Sequence, residues 1–203
     1  MLPVFLAALA ALIPITNPVA ALAAFAGMTT GMPAASVHRQ AWRTGIYVGG
    51  ILIVFAVVGT LLLSFLGIGL PALQVAGGLV VMHSGFGMLS AKAPLSAVER
   101  HGVAARTDVS FSPMALPLIA GPGAIGVVIA LSARHPALLE RLGVILACVV
   151  IAVATSLVLR YGTSLVDKMG ATVIGALTRV MGFLILAIGV EIGMHGLLAF
   201  LHP

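Results

Sequence analysis

Four prolines and the small polar residues beside them are the part of this sequence whose types and spacing could do chemistry. Pro14 and Pro18 bracket Ile15, Thr16 and Asn17 inside an apolar run. Pro117 and Pro122 bracket Leu118, Ile119, Ala120 and Gly121 in a second run, and Gly123 follows. Proline lacks an N–H and clashes with the preceding turn, so each pair opens a helix and frees carbonyls. In lipid those groups must be met by protein, water or ligand. The restarting half-helix attracts an anion such as a carboxylate at its N-terminus, while freed carbonyls suit a cation or ammonium. That polarity fits a zwitterion. Thr16 and Asn17 add a hydroxyl and an amide, and Gly121 and Gly123 let a ligand approach the backbone. The plainer alternative is that these prolines only kink packing helices, which leaves the matched pairing of the breaks unexplained. The candidate substrate-binding set is therefore Thr16, Asn17, Pro18, Ala120, Gly121, Pro122 and Gly123.

These residues can only be positioned by membrane helices. Apolar residues make up 61% of the 203 and charged residues 7%, whereas a soluble domain carries charge at roughly a quarter of its positions. The runs Met1–Val37, Thr44–Ala91, Val109–Ala133 and Leu142–Leu159 contain no Asp, Glu, Lys or Arg. About 20 helical residues cross a bilayer, so the 48-residue run Thr44–Ala91 must fold back, and Gly67-Ile68-Gly69-Leu70-Pro71 is the place. Strict alternation is missing, which argues against a barrel and for helices. Six segments result, near 3–28, 42–66, 72–90, 112–133, 142–160 and 174–200. The chain is thus expected to be all-α, one polytopic domain over 1–203 without a separate soluble part. No cleavable signal is evident, since the first segment lacks a basic n-region.

The halves resemble each other. Leu12-Ile13-Pro14-Ile15-Thr16-Asn17-Pro18-Val19-Ala20 answers to Leu116-Pro117-Leu118-Ile119-Ala120-Gly121-Pro122-Gly123-Ala124. Gln74-Val75-Ala76-Gly77-Gly78 answers to Arg179-Val180-Met181-Gly182-Phe183. The expectation is a three-helix repeat, about 1–90 and 112–203, joined by a linker near 91–111. Three crossings per repeat force the copies into opposite orientations. Loops one, three and five carry Arg39, Arg43, Lys92, Arg100, Arg106, Arg160 and Lys168, against Arg134 and Arg141 in loops two and four. The positive-inside rule then places both termini outside the cytoplasm and the linker within it. Lys92, Glu99, Arg100, Arg106 and Asp108 read as a solvated linker.

Few other side chains offer chemistry. Arg179 and Glu191 are the ionisable residues expected within a span, and with Gln74 they form the candidate coupling or charge-bearing set. A charge at a helix centre costs about 2.5–3.5 kcal/mol on insertion scales, so it faces a cavity, a partner or the interface. Glu191 lies twelve residues beyond Arg179, roughly 18 Å along the helix. It is expected to be buried, with His195 or a hydroxyl as neighbour. No His/Cys/Asp/Glu pattern suggests a metal, and no Walker loop suggests nucleotide. His83-Ser84-Gly85 lacks a nucleophile elbow, so no enzyme is expected. Cys148 reads as a small buried residue. Scattered loop cations satisfy topology rather than nucleic acid. Gly189-x-x-x-Gly193 and the other glycine pairs read as close helix packing.

These stretches together resemble the MarC family of integral membrane proteins. The carrying pieces are Pro14–Pro18, Gly69-Leu70-Pro71-Ala72-Leu73-Gln74-Val75-Ala76-Gly77-Gly78, Pro113 through Gly123, and Leu177-Thr178-Arg179-Val180-Met181-Gly182-Phe183. The resemblance implies six spans in a bacterial inner membrane; some members are assigned to transport of glycine or alanine. The chain departs from the family pattern at Gln74, where Arg is frequent, and at Glu191, where Gln is frequent. The reading is a secondary transporter of a small neutral solute, working by alternating access without a cofactor. A proton or sodium ion would couple it, and a homo-oligomer is compatible with it. A membrane scaffold that binds partners or lipid is the alternative.

Overall fold

A computed structural model describes residues 1–90 and 108–201. Lys92, Glu99, Arg100 and Arg106 lie outside the described residues. Helix α1 is Leu2–Thr16 and α2 is Pro18–Met28, set at 45° to each other over the stretch measured, Leu2–Thr16 against Ala21–Met28. Then come α3, Ala34–Phe65, and α4, Leu70–Leu89. A wide-turned proline segment, Ser110–Ile119, meets α5, Pro122–Arg134, at 62°. The helical stretch α6, Leu138–Leu201, holds two membrane-length runs, Leu138–Thr163 and Gly175–Leu201. Four helices are long and apolar enough to cross a membrane, or six spans if each bent pair is one. No strand occurs among the described residues.

Local chemistry explains the boundaries. After α3, Gly67 takes φ 66°, a left-handed conformation that glycine adopts without a Cβ penalty. Its N–H donates to the Ser64 carbonyl and that of Ile68 to Leu63, the pair of bonds that closes a helix through a left-handed residue. Gly69 then precedes Leu70 and Pro71, and proline in a first helical turn sacrifices no bond. The fold-back expected at Gly67–Pro71 is where the chain turns.

Contacts fix the direction of each pass. Gly143 lies against Met1 and Phe5, and Gly162 against Leu22, so the first run of α6 parallels α1 and α2. Gln40 meets Val109 and Gly59 meets Ile129, so α3 runs with the proline segment and α5. Gly45 meets Ser156 and Ala152 while Gly49 meets Ala152, so α3 runs against that first run of α6. On α4, Gly78 and Gly85 press on the backbone of Gly189, Gly193, Gly182 and Leu186. There α4 and the second run of α6 are antiparallel and nearly touching. Lipid offers no hydrophobic force between helices, so such backbone contact and dispersion supply the cohesion. Phe25, Leu12, Leu52, Met114 and Val144 fill the centre. Ile46, Val54, Leu61 and Phe65 of α3 point outward, as a lipid-facing surface requires.

The start of the second half is anchored to α3. The buried Gln40 side-chain carbonyl accepts the Val109 N–H at 2.9 Å, and Arg43 pairs with Asp108 at 2.8 Å. Asp108 also accepts from the Ser110 N–H and hydroxyl. Assigned to a solvated linker, Asp108 is exposed and is also tied down: a carboxylate two residues before a chain turn finds donors in that turn. Hydrogen bonds from Ser110 outweigh partial burial and, with Arg43, hold the Asp108 carboxyl below its ordinary value, which is about 3.9. A lowered folded-state pKa stabilises above the unfolded value and is lost as pH falls through the folded one. Both side chains of the ion pair are about half exposed, so solvent screening keeps its own contribution at about 1 kcal/mol or less. Asp108→Asn should lower the thermal midpoint slightly at neutral pH, and parallel melts should begin to converge as pH falls past about 4 and meet only below the lowered folded-state value.

Candidate functional site

Asn17 is the residue between α1 and α2. Its φ of 43° and ψ of 69° are left-handed, a region where asparagine is among the few tolerated non-glycine residues. Its N–H is held by the Ile13 and Pro14 carbonyls at 3.3 and 3.2 Å. Its side-chain amide donates to Met88 Sδ of α4 at 3.1 Å. Thr16 is buried beside it and donates its hydroxyl to Leu12 O at 2.9 Å and Ile13 O at 3.3 Å. With the proton so placed, the Thr16 oxygen can only accept from a ligand.

The second break is built differently. Ala120 N–H donates to Ala115 O at 2.9 Å and Met114 N–H to Val109 O at 3.2 Å, both spanning five residues, so the turn is wider than an α-helix. Ser112 and Leu116 leave helical geometry altogether. Gly121 then caps α5 with extended backbone, and Pro122 begins it. A Cβ on Gly121 would strike the Pro117 carbonyl, and one on Gly123 would come within 2.5 Å of Val81 Cγ2. These two glycines are required sterically.

The two breaks meet across one cavity of about 420 Å³. Ile15, Thr16 and Asn17 form one wall; Pro117, Gly121, Pro122 and Gly123 face them. Val81, Ser84 and Met88 of α4 form the third side, and Ile185 of α6 closes it. Of the seven sequence-chosen residues, Pro18 and Ala120 are not on its wall. Ala120 is fully buried in the core instead. The restarting helices α2 and α5 both begin at this space, and a helix start leaves N–H groups unpaired within the helix. Small apolar walls, two sets of backbone donors and the Thr16 oxygen suit a small solute with a carboxylate and an ammonium.

Sequence reasoning missed the α4 wall. Ser84 and Met88 sit one turn apart and face the breaks, but only the packing of α4 on α6 sets that face. The Asn17-to-Met88 bond spans 71 residues, beyond any local pattern.

The charge-bearing candidates are not in this cavity. Gln74 and Glu191 line a second one of about 280 Å³, with Arg134 and His195. Arg179 is exposed and lines neither. Glu191 is not buried as expected: its side chain is 74% exposed, and its partner is His195 at 3.0 Å. Helical geometry gives the reason. At about 100° per residue, two residues put Glu191 about 200° from Gly189, the face seated on α4. No cluster of metal-ligating side chains occurs among the described residues.

Sequence comparisons find this chain similar to membrane proteins. An inner membrane protein MarC of Salmonella typhimurium is 31% identical over 203 residues, covering 94% of this chain and 92% of its own. The inner membrane protein MarC of Citrobacter koseri is 32% identical over 206 residues, with the same coverage. A membrane protein of Pyrococcus abyssi is 30% identical over 187 residues, covering 92% and 90%. No solved structure matches the chain. The family of MarC integral membrane proteins matches residues 2–201, and the chain belongs to it.

Proposed function

We propose that the protein is a secondary transporter of a small neutral solute such as glycine or alanine, and not an enzyme. The observation that carries this reading is the cavity where α2 and α5 both begin, because paired helix starts offer a carboxylate donors from two directions. Pro14–Pro18 and Pro117–Pro122 are read as the broken spans of two inverted three-helix repeats, about 1–90 and 112–203. The alternating direction of the contacts supports that reading, since copies of an odd-span unit must run oppositely. Thr16, Asn17, Gly121 and Gly123 bind the solute, while Pro18, Ala120 and Pro122 shape the breaks. Alternating access would expose this cavity first to one side and then to the other. A proton or sodium gradient drives accumulation. Gln74, Arg179 and Glu191 remain the assigned charge-handling residues. Arg134 from α5 and His195 from Glu191's own helix are the other charged or titratable groups lining its cavity.

Radiolabelled uptake into proteoliposomes, with and without imposed gradients, tests the reading. Glycine or alanine should enter well above protein-free liposomes. No uptake of any neutral amino acid under any gradient would reject it. Both termini are assigned to the periplasmic side of an inner membrane. Alkaline phosphatase fused at the C-terminus should therefore be active, and a cytoplasmic C-terminus would remove the inverted repeat.

A further inference from the structure

The second cavity collects charge in a chain that has very little. Arg134 reaches it from the end of α5, Glu191 and His195 from the second run of α6, and Gln74 from α4, while α1 adds only Ala10 and Ala11. With its amide oriented to satisfy both groups, Gln74 accepts from Arg134 Nη2 at 2.8 Å and Nε at 3.3 Å. Gln74 is itself 5% exposed. A buried neutral acceptor fixes the guanidinium in place without cancelling its charge. Among the described residues no carboxylate pairs with Arg134, and Glu191 pairs only with His195. Two opposite charges thus line one small apolar cavity from different helices without joining each other. Arg134, the last residue of α5, and Glu191 are both exposed, so their charged heads stay within reach of a solute entering this cavity.

We propose that this cavity is a second solute subsite, in which Arg134 takes the carboxylate and Glu191 the ammonium of a small zwitterion. It rests on the reading that the solute is a zwitterion and extends it to a place separate from the helix breaks. The guanidinium keeps N–H donors beyond the two given to Gln74, enough for a carboxylate. The apolar walls, Val127, Ala130, Leu131, Ile188 and Ile192, fit a hydrogen or methyl side chain better than a polar one. His195 holds the Glu191 carboxylate from one helical turn away, which sets its direction along the helix surface.

Equilibrium binding of radiolabelled alanine to the full chain in nanodiscs tests this. Arg134→Gln and Glu191→Gln should each weaken one component of binding at least ~10-fold, the equivalent of 1.4 kcal/mol. Asn17→Gly should weaken a different component. On the wild-type protein, propionate and ethylamine should each compete poorly for the Arg134–Glu191 component. In Glu191→Gln, propionate should compete about as well as alanine, because the ammonium has lost its partner. That ligand-half readout does not move if the two residues are merely structural, and it separates misfolding from lost recognition. Binding that Asn17→Gly alone weakens, with Arg134→Gln and Glu191→Gln like wild type, would overturn the subsite and leave the transport reading standing. Absence of binding by any zwitterion to wild type would overturn both.

Discussion

Gly78→Val is expected to leave little folded protein, and Gly78→Ala alone should lower the thermal midpoint markedly. A Cβ at Gly78 would lie 2.6 Å from the Gly193 nitrogen, and 2.7 Å from the Gly189 oxygen and the Gly193 Cα. All three are backbone atoms, so no side chain can turn aside. Overpacking costs about 1–3 kcal/mol and occasionally more; a clash with a helix backbone belongs at the top of that range. Gly87 supplies the control. Nothing lies within 4 Å of its Cβ position, and alanine is favoured over glycine in a helix interior by up to about 1 kcal/mol. Gly87→Ala should therefore melt at the wild-type temperature or above it. Fluorescence-detected size exclusion of heated, solubilised membranes measures both. Equal melting of Gly78→Ala and Gly87→Ala would refute the backbone contact.

The second large effect belongs to Asn17, where backbone and side-chain roles can be separated. Asn17→Gly keeps the left-handed geometry free of strain but deletes the amide. Folded yield should stay close to wild type, and uptake should fall about 10- to 100-fold, as expected when a hydrogen bond to a charged group worth about 1.5–3 kcal/mol is lost. Asn17→Ala should lose uptake and also stability, because a Cβ without a compensating polar group disfavours the left-handed region by about 1–2 kcal/mol. Gly121→Ala should behave like Asn17→Ala, its methyl directed at the Pro117 carbonyl. Wild-type uptake by Asn17→Gly, measured at matched incorporation, would remove Asn17 from the solute site.

Much of this architecture was readable from residue order, and the unread part has a common cause. Uncharged runs of known length dictate how many times the chain can cross, and Gly67 with Pro71 dictates where the longest run turns. The breaks were legible because proline and left-handed asparagine act locally. What could not be read was rotation about each helix axis. Ser84 and Met88 join the first cavity because α4 is turned by its glycine contacts, and Glu191 misses burial for the same reason on α6. Arg134 looked like a loop cation, since its partner Gln74 lies 60 residues earlier in another helix. The Gln40–Val109 and Arg43–Asp108 links were equally hidden, because they join the halves across a linker that carries no pattern.

The glycine contacts of α4 also bear on motion. Gly78 and Gly85 stand seven residues apart, as do Gly182, Gly189 and Gly196 opposite them. With backbones this close, sliding would drive side chains such as Met82 and Leu186 into the seam, so the two helices must first separate. The pair has one register and must travel as a single lever. Both cavities lie along its edge, where α1, α2 and α5 approach it with fewer such interlocks. A conformational cycle in this molecule would then be a hinge between a fused pair and a looser trio, and both cavities would change shape in the same stroke.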